Sequence, residues 1–203
     1  VKNLKTTPLP GVNTVYDLVQ HGIKTNGPRD ALGKRPLLER HHEDLNGKKV
    51  EKLTYADHYE WMSYTQFGKA ISSLGAGLVG LADLKPQDRV IIYAETQREW
   101  MLVAQAAFSQ SLQVVTVYAT LGEEGLIHGT TQTKSKVTNP NPNPNPNPNP
   151  NPNPNPNPNP NPNQVIVADA KLLKIVANAI KTNKAGMRSC TAVVYIADPV
   201  QKP

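Results

Sequence analysis

The sequence predicts an α/β protein with a partial doubly wound, mostly parallel sheet. Short apolar runs rich in β-branched residues alternate with amphipathic segments, which is typical of parallel α/β sheets. The runs are continuously apolar rather than alternating with polar residues, and this indicates strands buried on both faces. The predicted strands are residues 90–93, 114–118, 165–167 and 192–196.

The helices that separate these strands are marked by capping residues. A Ser or Thr side chain accepts hydrogen bonds from the first free backbone N–H groups, and an acid or amide three residues later bonds back. Such pairs are Thr14 with Asp17, Ser63 with Gln66, Thr96 with Glu99 and Thr120 with Glu123. Apolar residues follow at helical spacing, and a further amphipathic stretch opens at Asp169. The sequence therefore predicts helices interleaved with the strands.

Residues 36–60 interrupt this pattern with a charged, His-rich segment that we predict to be a loop. His41, His42 and Glu43, with His58 further on, suggest a metal site at first sight. Adjacent histidines, however, lack the i, i+4 or Cys-x-x-Cys spacing that fixes ligand geometry. We therefore interpret the segment as solvated surface and predict no metal ligand in it.

Residues 139–162 are twelve consecutive Asn-Pro dipeptides. Alternate residues lack a backbone N–H, which excludes a helix or a central strand, and each Asn before a proline is driven to extended angles. We therefore predict an exposed, disordered segment. Removing residues 138–164 would restore one continuous strand entry, so we predict an insertion rather than a replacement. The predicted organisation is residues 1–137 as the first part of a domain, 138–164 as a low-complexity insertion, and 165–203 as the continuation of the domain.

Gly75, Gly77 and Gly80 form a literal G-x-G-x-x-G motif, and Glu95 lies twenty residues after the first glycine. In a dinucleotide site these glycines follow a strand and open a helix, so that the pyrophosphate meets the helix N-terminus. Here they follow a helix-capping pair, and only five residues separate Gly80 from Pro86. We predict that they let the end of a helix pack closely and then terminate it, with a dinucleotide-binding oxidoreductase as the weaker alternative.

The composition of the chain indicates which binding partners and which cellular compartment to expect. Lys and Arg outnumber Asp and Glu by 22 to 16, but the cations are scattered, so we predict no nucleic-acid binding. One cysteine, Cys190, excludes an intrachain disulfide and fits a reducing compartment. No apolar stretch approaches the roughly 20 residues of a spanning helix, and the polar start is unlike a signal peptide. We expect an intracellular protein, cytoplasmic or at the cytoplasmic face of a membrane, with no anchor visible in this chain.

Five collinear segments match the sequence pattern of a known family. They are residues 59–64 (YEWMSY), 84–90 (LKPQDRV), 94–100 (AETQREW), 114–124 (VVTVYATLGEE) and 169–173 (DAKLL). In order and spacing they resemble the long-chain fatty acyl-CoA synthetases, a branch of the adenylate-forming enzymes. The sequence departs from that pattern at Gln87, where glycine is usual, and at the Asn-Pro tract.

The resemblance implies a parent enzyme that activates a long-chain fatty acid with ATP and Mg²⁺ and passes the acyl group to coenzyme A. It also implies that catalysis depends on a phosphate loop, an acidic ribose contact, a hinge and a C-terminal lysine, none of which matches this sequence. We therefore assign no catalytic, cofactor-binding or metal-binding residue. The prediction is a scaffold fragment from the N-terminal part of the adenylate-forming domain, inactive alone, whose parent is compatible with membrane association.

A second hypothesis comes from a different class of protein. In it the chain is a repeat-bearing interaction or antigen protein, and the Asn-Pro array is the functional part. The array is perfectly regular, but the residues on both sides of it have ordinary α/β character. Those flanks favour the enzyme-fragment hypothesis.

Overall fold

The computed structural model describes residues 7, 9–133 and 163–197, so the Asn-Pro repeat, with its predicted disorder, lies outside the described residues. The α-helices are α1 (Val15–Asn26), α2 (Tyr64–Ala82), α3 (Arg98–Ser109), α4 (Gly122–Thr133) and α5 (Leu173–Thr182). The strands are β1 (Asp30–Lys34), β2 (Leu37–Leu45), β3 (Lys48–Tyr55), β4 (Glu60–Ser63), β5 (Arg89–Tyr93), β6 (Gln113–Thr116), β7 (Gln164–Asp169) and β8 (Cys190–Ile196).

The core is a four-stranded parallel sheet in the order β6-β5-β7-β8. Successive side chains of a strand point to opposite faces, so Val90 and Ile92 pack with α2 and α3. Ile91 and Tyr93 pack on the other face with residues of α4 and α5. Helices therefore cover both faces of the sheet, and the predicted doubly wound α/β fold is confirmed.

The central and edge strands differ in burial. Every residue of β7 is buried, as is every residue of β5 after Arg89, which confirms the prediction for these two strands. The prediction is wrong for β6 and β8, the two edge strands, because neither contains a buried residue. In β8 exposed and half-buried residues alternate, and Tyr195 is 59% exposed.

Residues 36–60 are not a loop, and that prediction is wrong. β2 and β3 form an antiparallel hairpin, while β1 pairs with β4 in a second two-stranded sheet. Asn46 and Gly47 connect the hairpin strands with φ angles of 55° and 78°, and Asp44 Oδ1 accepts a 2.8 Å hydrogen bond from Gly47 N. Asn-Gly is the preferred pair for such a turn, because both positions need positive φ.

The capping boxes predicted for the first two helices are confirmed. Asp17 N donates to Thr14 Oγ1 at 3.0 Å, and the Asp17 carboxylate accepts from Thr14 N at the same distance. Ser63 and Gln66 make the equivalent reciprocal pair at the start of α2. These helix starts are therefore set by residues three positions apart in the sequence.

The capping box predicted from Thr96 and Glu99 does not form. Gln97 occupies the N-cap of α3 and makes no capping hydrogen bond with its side chain. Glu99 instead forms a 3.2 Å ion pair with Lys34, and the Gln97 amide donates to Asp169. Tertiary partners thus replace the local cap.

The capping box predicted from Thr120 and Glu123 is also absent. A short 3₁₀ turn, Ala119–Leu121, precedes α4, which begins at Gly122. Glu123 Oε1 accepts a 2.7 Å hydrogen bond from Thr182 Oγ1 of α5. The carboxylate therefore links two helices on the same face of the sheet.

The G-x-G-x-x-G motif lies inside α2, with no strand directly before its first glycine. A Cβ added to Gly75 would meet Ser109 Oγ at 2.7 Å and the Ala106 carbonyl oxygen at 3.1 Å, so this glycine lets α2 approach α3. The predicted close packing is therefore present. The predicted termination is wrong, because the helix continues past Gly80 to Ala82, and its C-cap is Asp83 in the left-handed conformation.

The two chain ends that flank the repeat lie against each other. Gln164, the first residue of β7, is fully buried, and its amide donates to the Thr130 carbonyl oxygen and to Thr133 Oγ1, both at 3.2 Å. Its amide oxygen accepts a 2.7 Å hydrogen bond from Ser189 Oγ. Hydrogen bonds therefore join the end of α4 to the start of β7, although the repeat separates them in the sequence.

Candidate functional site

A crevice opens where the order of the strands reverses. From β5 the chain passes to β6 on one side, and then returns to β7 on the other side of β5. In doubly wound sheets the connections diverge at such a switch point, and ligands bind outside the carboxyl ends of the strands there. A cavity of about 350 Å³ lies at this edge and is lined by residues from the ends of β5, β7 and β8.

Two acidic residues, Glu95 and Asp169, line the crevice. Asp169 ends β7 and is buried, and its carboxylate accepts a 2.8 Å hydrogen bond from Glu95 N and another from the Gln97 amide. Burial raises the pKa of Asp169 above its usual 3.8, and these hydrogen bonds offset only part of that rise. Glu95 forms a 2.7 Å ion pair with Lys171, which follows β7.

The hairpin of β2 and β3 forms another wall of the crevice. The Nε and Nη2 groups of Arg35 donate to the Ala56 carbonyl oxygen at 2.8 and 2.7 Å, and these bonds fix the base of the hairpin. The same guanidinium lies 5.7 Å from the centre of the Tyr55 ring. Leu37, Leu53 and Tyr55 line the cavity from the hairpin.

Glu99 connects the small β1–β4 sheet to the start of α3. Its Oε1 atom lies 3.2 Å from Lys34 Nζ and 3.0 Å from Arg98 Nη2. Burial alone would raise the pKa of Glu99, but its own backbone N–H and the neighbouring Lys34 and Arg98 lower it below the usual value. Glu99 is therefore the ionised partner of two cations whose side chains line the cavity.

The histidines of the predicted loop are not arranged as metal ligands. His41 and His42 are neighbours in β2, so their side chains point to opposite faces of the hairpin. His41 Nε2 lies 3.4 Å from Glu43, and His58 Nδ1 lies 3.2 Å from Asp57. Within residues 9–133 and 163–197, no three His, Cys, Asp or Glu residues are grouped to hold a metal ion.

No site residue was assigned from the sequence, and the absence of a catalytic residue stays a prediction. Glu95 entered the prediction as a candidate ribose-binding acid and Asp169 as a helix start, and both also lie in segments that resemble the family pattern. A usable signal was present, because each central apolar run is followed by alanine and then an acid, at Glu95 and at Asp169. Arg35 and Arg98 gave no such signal, because only the folded chain brings them to the same cavity.

The raised pKa of Asp169 predicts a specific dependence of stability on pH. A folded-state pKa above the unfolded value means that the folded protein binds the proton more tightly, so stability falls as pH rises through the folded pKa. The free energy of unfolding of the wild type, relative to Asp169→Asn, should therefore be highest near pH 3.5 and decline towards pH 7.

Urea unfolding of both proteins across this pH range measures the difference. Asp83→Asn serves as the control, because Asp83 is exposed and lies at the end of α2. A difference between the wild type and Asp169→Asn that stays constant, or grows with pH, would contradict the prediction.

Comparison with known proteins identifies relatives of this chain. The AMP-binding enzyme family model matches residues 42–188. Long-chain-fatty-acid–CoA ligase 2 of Schizosaccharomyces pombe is 32% identical over 144 residues, which cover 66% of this chain and 21% of that protein. Long-chain-fatty-acid–CoA ligase 1 of Saccharomyces cerevisiae is 36% identical over 148 residues, with the same two coverages.

Among solved structures, the adenylation domain of a carboxylate reductase from Mycobacterium chelonae has the same fold. It superposes with a TM-score of 0.61 at 14% identity, covering 93% of this chain and 24% of that one. The fold and the switch-point crevice place the chain in the doubly wound α/β class. Because the family match extends to both sides of the Asn-Pro repeat, the chain belongs to the AMP-binding enzyme family. It spans about a fifth of the length of the two yeast relatives.

Proposed function

We propose that this chain is a scaffold part of a long-chain fatty acid–CoA ligase. The parent reaction joins a fatty acid to coenzyme A through an acyl-adenylate and releases AMP and pyrophosphate from ATP. The observation that carries the proposal is the match to two yeast proteins with this name, which covers 66% of the chain. No observation on the described residues favours the interaction-protein hypothesis or the oxidoreductase hypothesis.

We also propose that the chain is inactive by itself. The crevice offers two carboxylates, and both are already engaged, Asp169 by two hydrogen-bond donors and Glu95 by Lys171. Mg²⁺ requires oxygen ligands in near-octahedral geometry together with the nucleotide phosphates. The two carboxylates of the crevice do not fit a Mg²⁺–nucleotide site. We therefore propose that ATP and Mg²⁺ bind to parts of a parent enzyme outside residues 9–133 and 163–197.

The proposed substrates also suggest where the protein acts. ATP and coenzyme A are intracellular, so we propose a cytoplasmic protein or one at the cytoplasmic face of a membrane. Among the helices of the described residues, none is long and apolar enough to cross a bilayer.

The partners that we propose follow from the parent reaction. They are a long-chain fatty acid and coenzyme A, and not nucleic acid.

Two assays test the proposed function. The purified chain, incubated with palmitate, ATP, Mg²⁺ and coenzyme A, should form no palmitoyl-CoA, and detectable turnover would refute the proposed inactivity. A chimera tests the scaffold role, in which the matched segment of the S. pombe ligase is replaced by residues 42–188 of this chain without residues 138–162. The chimera should form acyl-CoA, whereas the ligase lacking that segment should not. A well-folded chimera without activity would count against the scaffold role.

A further inference from the structure

The chain contains two Asn-Gly pairs, Asn26-Gly27 and Asn46-Gly47. The side-chain amide of an asparagine can be attacked by the backbone nitrogen of the next residue, and glycine obstructs this approach least because it has no side chain. The asparagines of the repeat cannot react in this way, because each precedes a proline, which has no backbone N–H. The two Asn-Gly pairs are therefore the places to look for spontaneous modification.

The fold protects the first pair. Asn26 Nδ2 donates to the Gly22 carbonyl oxygen at 3.0 Å, and Gly27 N donates to the Ile23 carbonyl oxygen at the same distance. The Gly27 carbonyl oxygen also accepts a 2.9 Å hydrogen bond from Thr65 N of α2. The two reacting groups are thus bound within the C-terminal cap of α1, and this cap must open before they can meet.

The second pair forms the tip of the β2–β3 hairpin and is exposed. Its neighbours Leu45 and Lys48 are exposed as well, and a Cβ added to Gly47 would meet no atom within 4 Å. Segments with so few packing contacts open locally at little cost in free energy. Rotation about the Asn46 backbone, which brings its side chain to Gly47 N, therefore displaces no packed part of the fold.

A carboxylate lies beside the nucleophile of the second pair. Asp44 Oδ1 accepts a 2.8 Å hydrogen bond from Gly47 N, which carries the proton that must leave when this nitrogen attacks. A carboxylate within hydrogen-bond distance can take up such a proton as a general base. In the first pair the corresponding N–H of Gly27 faces a backbone carbonyl oxygen, which is a much weaker base.

We propose that Asn46 deamidates in the folded chain and that the hairpin tip is a site of isoaspartate formation. Gly47 N bonds to Asn46 Cγ, the Cγ–Nδ2 bond breaks, and the amide leaves as ammonia together with the proton that Asp44 has taken from Gly47 N. Water then opens the cyclic imide at one of its two carbonyl carbons, which gives aspartate or isoaspartate. Neither step depends on the ligase reaction proposed above.

The isoaspartate product alters the hairpin. Its backbone runs through the former Asn46 side chain and is longer by one methylene group, whereas the native turn has two residues with positive φ. That turn sets the pairing of Leu45 with Lys48. Loss of this pairing loosens the hairpin, whose residues Leu53 and Tyr55 line the crevice.

Peptide mapping of the full chain after incubation at neutral pH tests the site. Trypsin places the two pairs in separate peptides, residues 25–29 and 41–48, and mass spectrometry detects the replacement of the amide by a carboxyl group. Residues 41–48 should be converted about tenfold faster than residues 25–29, because the helix cap costs more to open than the hairpin tip. In guanidinium chloride, which unfolds the chain, both peptides should be converted at similar rates. Equal rates in the folded chain, or faster conversion of residues 25–29, would overturn the proposal.

Two variants test the role of Asp44. Asp44→Ser keeps an oxygen that can accept a hydrogen bond from Gly47 N but removes the carboxylate, and should slow conversion of residues 41–48 about threefold. Asp57→Ser is the matched control, because Asp57 is an exposed acid between β3 and β4, at the other end of the hairpin, and should leave the rate unchanged. An unchanged rate in Asp44→Ser, or an equal loss in Asp57→Ser, would overturn the assignment of Asp44.

Amide hydrogen exchange tests the consequence for the hairpin. Methylation by protein isoaspartate methyltransferase first measures how much isoaspartate the incubated chain contains. The isoaspartate-rich chain should lose protection in β2 and β3, while β5 and β7 keep theirs because they are buried in the parallel sheet. Unchanged protection in β2 and β3 would overturn the proposed loosening.

Discussion

Deleting residues 138–162 is expected to raise the melting temperature of the chain by about 5 °C, whereas deleting residues 138–164 is expected to lower it. The shorter deletion reduces the connection between Thr133 and Gln164 from thirty residues to five. Five residues suffice to join these ends, because the Gln164 amide already lies 3.2 Å from Thr133 Oγ1. The lower loop-closure entropy then stabilises the fold by about 1.5 kcal/mol.

The longer deletion removes two residues that belong to the sheet. Asn163 O accepts a 3.0 Å hydrogen bond from Arg89 N, and Asn163 N donates to Asp88 Oδ1 at the same distance. The Gln164 side chain forms hydrogen bonds with Thr130 and Thr133 of α4 and with Ser189, which precedes β8. Losing these buried hydrogen bonds should cost about 3 kcal/mol, which exceeds the gain from shortening the loop.

Thermal melting followed by circular dichroism compares the two deletions with the parent chain. Gln164→Met in the full-length chain separates the side-chain contribution, since it keeps the backbone and a similar volume and should cost about 2 kcal/mol. If both deletions stabilise the chain equally, Gln164 does not anchor β7. If the shorter deletion unfolds the protein, the prediction that residues 138–164 contain an insertion into one domain is wrong.

Substituting alanine at the three motif glycines is expected to give effects of opposite sign. Gly75→Ala should destabilise the chain by about 2 kcal/mol, because the new Cβ would lie 2.7 Å from Ser109 Oγ and 3.1 Å from the Ala106 carbonyl oxygen. Gly77→Ala and Gly80→Ala should each stabilise it by roughly 0.5–1 kcal/mol, because a Cβ there meets no atom within 4 Å and alanine favours the helix.

Urea unfolding of the three variants measures these differences. The glycines share one helix, so Gly77→Ala and Gly80→Ala are internal controls for Gly75→Ala. A dinucleotide site would instead need close backbone approach at its glycines, and alanine would then reduce nucleotide binding. Equal effects at all three positions would refute the packing role of Gly75.

Local sequence signals predicted the parts of the fold that depend on near neighbours. The capping boxes of α1 and α2 form between residues three positions apart, and continuous apolar runs marked the buried strands β5 and β7. The hairpin was predictable too, because Asn46-Gly47 lies between two strand-forming stretches, but the density of charge suggested a loop. The predictions that failed are those in which a distant partner replaced a local one, as at Glu99 with Lys34 and at Glu123 with Thr182.

The departure from the family pattern at Gln87 has a structural consequence. Gln87 has a φ of 74°, in the left-handed region that glycine adopts at little cost and other residues adopt with strain. Its backbone N–H donates to the Ser111 carbonyl oxygen at 2.9 Å, and its side-chain oxygen accepts from the Gln113 amide at the same distance. These bonds hold the turn before β5 in a conformation that favours glycine.

The sequence by itself determined the α/β class and the family, and it predicted that the repeat lies between two parts of one domain. The class follows from periodicity and capping, which act over a few residues, whereas the family follows from the five collinear segments. Only the tertiary structure decided where the candidate site lies. The order β6-β5-β7-β8 brings Glu95 and Asp169 together across 74 positions and sets Arg35 over the same cavity. Strand order depends on long-range packing, so the crevice could not be derived from local pattern.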